Sequence, residues 1–427
     1  MTFRVLALVL GLSPTTFVAQ STSSVASGYI TSVEPDGTFA VEGMPIHLDP
    51  KVKFFVHPNP GTETPIASFQ PFVGEFVDII GSRSKGKSVP RSILATRVTQ
   101  VLPDLNAVHG TAIIDLVPQR NPVAPDRIVR ADGRYLRIPA TAKIKFEDSL
   151  SADSAFATNV WIAYAGVQRS DGSILVDTAT LRKNTVKEYE DQLHQKSEYD
   201  PGAVSPNEKQ SGVNKFFHGI DVKKIHPHPD EILKARITRI GDSLVPAYQR
   251  ALPPDDPTRF TFRFQIVDLE GYNAPLALTN GIVLVPFAGL DRLKSDSELA
   301  APLAIAVAFA LEKEQVRGRS AKNTLTGAKA IGIASDILFF PVGIAGGVAT
   351  GMVQKHINDL QIEQAGRVAL CLMHDAGYDI RLAPISLWLS DPEEPEPIEK
   401  TPMPKRAADL YQTLGTVWQP GSLASTN

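Results

Sequence analysis

The chain has 427 residues, 43% hydrophobic and 21% charged, with a formal net charge of −3. That length is too great for one ordinary core and predicts two to three domains, while the balance of apolar and charged residues fits a folded protein rather than a disordered one. The two signs of charge are interspersed, with no basic stripe carrying aromatics, which argues against nucleic acid as a partner.

The opening residues, MTFRVLALVLGLSPTTFVAQSTSSVAS, place Arg4 ahead of an apolar run from Val5 to Leu12, with small and polar residues after it. This is the layout of a secretory signal, expected over 1–26, and the run is too short to span a bilayer. Ser24 and Ala26 form a small-x-small site before Ser27, and Ala19 offers another. The single cysteine, Cys371, has no partner for an intramolecular disulfide. A bacterial periplasmic or secreted location is therefore expected.

Residues 28–184 read as one unit used twice, as two small antiparallel β-barrel modules over 27–104 and 105–185. The first opens with GYITSVEPDGTFAVEGMPIHLD around an Asp36-Gly37 turn; the second carries DRIVRADGRYLRIP with its own Asp132-Gly133 turn. In the closing hairpins Ile80-Gly81 answers Ala165-Gly166, and Ser92-Ile93-Leu94-Ala95 answers Ser173-Ile174-Leu175-Val176. Period-two alternation broken by Asp-Gly and Gly-rich turns predicts hairpins of short strands. The pair resembles the small repeated β-barrel domains of unknown function in exported bacterial proteins.

Residues 186–228 are charged and punctuated by proline, which predicts a linker. His226 and His228 alternate as chelating histidines can, but no third ligand lies at a recognised spacing, so an extended turn held by Pro227 and Pro229 is the simpler reading. Helical spacing then begins: Leu233, Ile237, Ile240 and Leu244 recur every three or four residues, with Asp230 as an acid near the start. Phe260, Phe262, Phe264 and Ile266 alternate as a half-buried strand, and Ile282–Val285 form a second extended segment after Asn280-Gly281. The next helix starts at a capping box, Ser295 with Glu298, and carries no ionisable group from Leu299 to Leu311, so it is expected to be buried around most of its circumference.

Residues 272–304, YNAPLALTNGIVLVPFAGLDRLKSDSELAAPLA, resemble the segment of the HtpX, BepA and CAAX prenyl protease family of zinc metallopeptidases that leads into His-Glu-x-x-His. In that motif two histidines one turn apart hold zinc and the glutamate activates bound water. Here the matching positions are Ile305, Ala306 and Phe309. The family's third ligand comes from Glu-x-x-Ala-Asp before an Ala-Gly-Tyr-Asp-Pro turn. In DLQIEQAGRVALCLMHDAGYDI, residues 359–380, Ala365, Arg367 and Ala376-Gly377-Tyr378-Asp379 fit, whereas the ligand position is Ile362 and the acidic one Gly366. TPMPKRAADLYQTL resembles the family's closing helix, retaining Arg406 and placing Pro402 where His is common.

The resemblance implies an α+β fold with a zincin-like, mainly helical domain and a small sheet over 229–390, then a Pro/Glu-rich tail with a short helix over 391–427. It implies that zinc and hydrolysis are lost, with no cofactor. It further implies that the edge strand which receives substrate in such peptidases survives here as Asn273, Ala274, Ile282, Val283, Leu284 and Val285, able to take an extended polypeptide or an envelope protein. Two alternatives remain open. One is an active metalloendopeptidase with a displaced ligand set drawn from His356, His374, Glu312, Glu314 or Glu363. The other is a structural envelope protein whose barrels bind the partner. Cys371 reads as a buried structural thiol. The apolar stretch 328–356 carries Asp336, Pro341 and several glycines, which favours a buried or lid-forming helical hairpin over membrane contact.

Overall fold

The computed structural model describes residues 24–58, 61–84, 91–103, 107–118, 126–184, 225–269, 271–278, 281–313, 350–390 and 402–426. The expected signal up to residue 23, the linker up to 224, the apolar stretch up to 349 and the tail over 391–401 lie outside the described residues, as do Glu314 and the side chain of His356.

The first module contains β1 (Ala26–Val33), β2 (Phe39–Val41), β3 (Met44–His57), β4 (Thr64–Ile66), β5 (Phe76–Arg83) and β6 (Ile93–Val101). The order β2-β1-β5-β6-β3 closes through a β2–β3 pairing into a five-strand barrel, with β4 appended to β3. The second contains β7 (Ala107–Ile113), β8 (Arg127–Ala131), β9 (Arg134–Ile138), β10 (Lys143–Phe146), β11 (Val160–Gln168) and β12 (Ile174–Lys183). Its order β8-β9-β12-β11-β7 repeats that of the first, but its edges meet only at the Leu116–Arg130 bridge, so it is a half-barrel.

The expectation of antiparallel barrels needs correction, because β3 pairs with β6, and β12 with β9 and β10, in parallel. In the closed first module the reason is topological. Strand direction cannot alternate all the way round a ring with an odd number of strands, so at least one neighbouring pair must run the same way. The repeat itself extends to single residues. A register shift falls at Ile80/Gly81 opposite β6 and at Ala165/Gly166 opposite β12. At both glycines a Cβ would collide with the carbonyl oxygen of the facing leucine, Leu94 or Leu175, so each bulge requires glycine. The Asp-Gly turns, in contrast, are not equivalent. Asp132-Gly133 joins β8 to β9, and its counterpart is Glu42-Gly43 between β2 and β3, each a two-residue turn with both φ angles positive. Inward-facing Ile30, Ile79, Ile93 and Val98 fill the first module; Leu136, Ile162, Ile174 and Leu181 fill the second.

After the barrels come β13 (His226–Pro227), α1 (Glu231–Leu244), α2 (Ala247–Ala251), β14 (Arg263–Asp268), β15 (Leu276–Ala277), β16 (Ile282–Pro286), α3 (Asp296–Leu311), α4 (Thr350–Asp375), α5 (Ala383–Leu389), α6 (Lys405–Val417) and α7 (Leu423–Thr426). Asp230 is the N-cap of α1, accepting from Leu233 N. The strand expected from Phe260 starts at Arg263, with Phe260 and Phe262 stacked before it. The sheet runs β13-β14-β16-β15.

Helix α3 is capped as its sequence dictates: Ser295 Oγ accepts from Glu298 N while Glu298 Oε2 accepts from Ser295 N at 2.7 Å. Leu299, Leu303, Val307 and Leu311 are buried against the sheet and the surrounding helices. Burial of each such side chain contributes about 1.5–3 kcal/mol, which is what holds a helix with almost no polar face.

The barrels are not beads on a string. Arg130, 3% exposed, donates to Asp115 in its own module and through Nη1 to Asp375 of α4 at 3.0 Å. Asp132 accepts from Tyr164 Oη at 2.6 Å and from Arg367 of α4 at 2.5 Å. Glu312, just past α3, accepts from Ile113 N of β7 at 3.1 Å. On the first module, Gly74 and Gly415 of α6 pack backbone to backbone, with no room for a side chain at either.

Candidate functional site

The face of α3 that carries Pro302, Ile305, Ala306 and Phe309 meets the face of α4 that carries Ile362, Ala365 and Gly366. With Ala274 to Ala277 at β15, Leu387 of α5 and Leu410 of α6, these residues enclose a cavity of about 390 Å³. Helical spacing explains the convergence on each side: 302, 305, 306 and 309 lie on one stripe of α3, and 362, 365 and 366 on one stripe of α4. Pro302 has no N–H, so the carbonyl of Glu298 lacks its usual helical donor on this same stripe. The polar side chains in its lining are Tyr272, Glu363, Arg406 and Asp409, with Glu363 accepting from Lys405 Nζ at 3.0 Å.

Every position that the resemblance aligns with a zinc ligand or with the water-activating glutamate therefore lines one cavity: Ile305, Ala306, Phe309 and Ile362. These side chains do not fit zinc, since none has a lone pair to give. Among the described residues, no three His, Cys, Asp or Glu side chains cluster closely enough to hold a metal. Of the displaced set, Glu312, His374 and Glu363 lie among the described residues, and these three do not cluster. Glu312 is turned toward β7 and Gln364, while His374 packs on the Trp418 ring, 4.8 Å between centroids. His228 bonds Asp268 at 2.8 Å and stacks on Phe287 at 3.9 Å, a packed histidine rather than a ligand. Burial pushes the Cys371 thiol up to about 12, which leaves no thiolate at neutral pH.

The expected receiving strand needs correction. Ile282, Val283, Leu284 and Val285 are fully buried in β16, between β14 on one side and β15 on the other. All four side chains are apolar, so a strand covered on both faces is where they go. Among the described residues the sheet ends instead at β15, Leu276–Ala277, which follows Asn273 and Ala274 and borders the cavity.

A second cavity, of about 480 Å³, lies where the first barrel, the second module, α4 and α6 meet. Its wall is polar: Glu75, Gln100, Arg134, Gln168, Arg367, Gln412, Thr413, Thr416 and Gln419, with the Tyr29 ring. Glu363 and Asp409 line both cavities. Glu75 accepts from Gln100 Nε2 at 2.6 Å and from Phe72 N at 3.1 Å, and its burial raises the carboxyl to about 7. Burial, together with the Asp409 and Glu42 charges, also raises the Tyr29 hydroxyl. Sequence reasoning missed this site, because its groups come from β1, β6, β9, β11, α4, α6 and the segments just before β5 and just after α6, and no local motif links them.

Comparison with models of known protein families returns no match, and no curated protein matches the chain significantly. Fold and cavities together define an α+β protein with a closed five-strand barrel, a half-barrel of the same strand order and several helices.

Proposed function

We propose that this is an exported, non-catalytic protein whose helical part is a zincin-like domain descended from the HtpX, BepA and CAAX prenyl protease type of zinc metallopeptidase. Its emptied metal site serves as a receptor for extended polypeptides. The observation that carries the reading is the apolar cavity lined by Ile305, Ala306, Phe309 and Ile362 next to the short edge strand β15. An extended chain can add to a sheet edge through its backbone and sink an apolar side chain into an adjacent pocket. The volume suits one large aliphatic or aromatic side chain with its flanking backbone. Export rests on the secretory layout of residues 1–26.

The test combines metal content, proteolysis and binding on one sample of the mature protein. Dialysis against trace zinc should leave it without stoichiometric metal, and casein should remain uncut. A carboxymethylated, permanently unfolded polypeptide should bind, and Ile305→Lys should weaken that binding at least about tenfold without changing the melting temperature. Stoichiometric zinc with cleavage, or equal binding by the variant, would overturn the reading.

A further inference from the structure

We propose that the polar interdomain cavity is the second half of the same polypeptide site and takes a basic side chain, Lys or Arg, neighbouring the apolar residue seated between α3 and α4. This inference rests on the polypeptide-binding reading above.

Continuity is the first argument. Glu363 and Asp409 form part of both walls, so a chain leaving the apolar cavity passes these carboxylates and enters the polar one. The second argument is the lining. Gln100, Gln168, Gln412 and Gln419 surround the space, and a carboxamide both donates and accepts, matching the groups of an extended backbone whatever its side chains. Gln100 and Gln419 each commit one donor within the protein, to Glu75 and to the Ser170 carbonyl, which leaves capacity on both.

The third argument is charge. Arg367 is held by Asp132, and Lys405 by Glu363. Arg134 stands 3.9 Å from Asp132, and its Nε has no acceptor among the described residues. The hydrogen bonds of Glu75 come from an amide side chain and a backbone N–H, both neutral. A carboxylate sheltered from water without a cation is costly, and a guanidinium or ammonium arriving with the ligand would relieve that cost. Bringing a cation to Glu75 favours its ionised form, so binding should release a proton near neutral pH and strengthen as the pH rises from 6 to 8. The charged and titratable groups around it in the cavity are Tyr29, Arg134, Glu363, Arg367 and Asp409.

The experiment uses synthetic extended peptides, each with one apolar anchor and either Lys or Gln nearby, titrated against the full mature protein. The Lys peptide should bind at least about tenfold more tightly at pH 8, with the preference shrinking at pH 6. Glu75→Gln should erase the preference, so that the Lys and Gln peptides bind equally at both pH values. Gln412→Trp, which fills the polar cavity, should weaken both peptides. A preference that is absent, or that survives Glu75→Gln, overturns the proposal. If Ile305→Lys abolishes binding and Gln412→Trp does nothing, the interdomain site fails while the polypeptide reading stands. If neither variant alters binding, both fail.

Discussion

At the residue scale, the groups that decide most are the buried charges at the seam between the second module and α4. Arg130 is 3% exposed and serves two carboxylates, Asp115 and Asp375, so its removal strands Asp115 in a site whose burial already raises its carboxyl above the usual range. Breaking a buried pair from one side leaves an uncompensated charge, which typically costs about 3–5 kcal/mol. Arg130→Met should therefore lower the unfolding free energy by about that amount in urea titration. A loss below about 1 kcal/mol would mean that water reaches Asp115. Ile305 and Phe309 in the apolar cavity are only partly buried, so substitutions there should cost less stability than the loss of Arg130.

At the element scale, the two modules share a strand order and a glycine bulge, and the bulge does the same work in both. Gly81 faces Ala95 and Gly166 faces Val176, each with the preceding leucine carbonyl where a Cβ would stand. Relief requires the backbone of β6 or β12 to move, and overpacking of this kind costs about 1–3 kcal/mol. Gly81→Ala and Gly166→Ala should each destabilise by that order, measured by chemical denaturation. The pair should be nearly additive, since the two sites lie in separate modules. If one variant were neutral, its bulge would be incidental to the closing hairpin rather than needed for it.

At the scale of the whole molecule, α6 ties the parts together: it packs on α4 and α5, touches Gly74 in the first module through Gly415 and stacks Tyr411 on Tyr29, 6.1 Å between ring centroids. Val73 of the first module and Tyr135 of the second belong to the same buried cluster as α3 and α4. Heat should therefore unfold the protein in one transition, with a pH dependence that includes Glu75. Its carboxyl is raised from the usual 4.5 to about 7, so the folded state holds a proton that the unfolded chain releases more readily. Its contribution is complete below pH 4.5, is lost as the pH rises toward about 7, and amounts to about 3 kcal/mol. Calorimetry between pH 5 and 8 should show this decline in the wild type and a smaller one in Glu75→Gln. Two resolved transitions, or identical slopes, would contradict the coupling.

The sequence by itself determined what depends on near neighbours in the chain. The cap of α3 was legible in Ser295 and Glu298, because a capping box is closed by backbone groups three residues apart. The burial of α3 followed from a stretch without ionisable groups, and the repeat from alternation and the two glycine-bearing hairpins. Tertiary structure decided what depends on closure and on distant partners. The parallel β3–β6 pair exists because an odd ring must contain one. Ile282–Val285 became a central strand once β14 and β15 flanked them, since their apolar composition calls for cover on both faces but does not choose the neighbouring strands. The apolar cavity arises only where α3, α4 and β15 converge, and the polar one, with Glu75 among amides from several segments, only where α4 and α6 meet the barrels, because an electrostatic environment is set by contacts in space that no local spacing encodes.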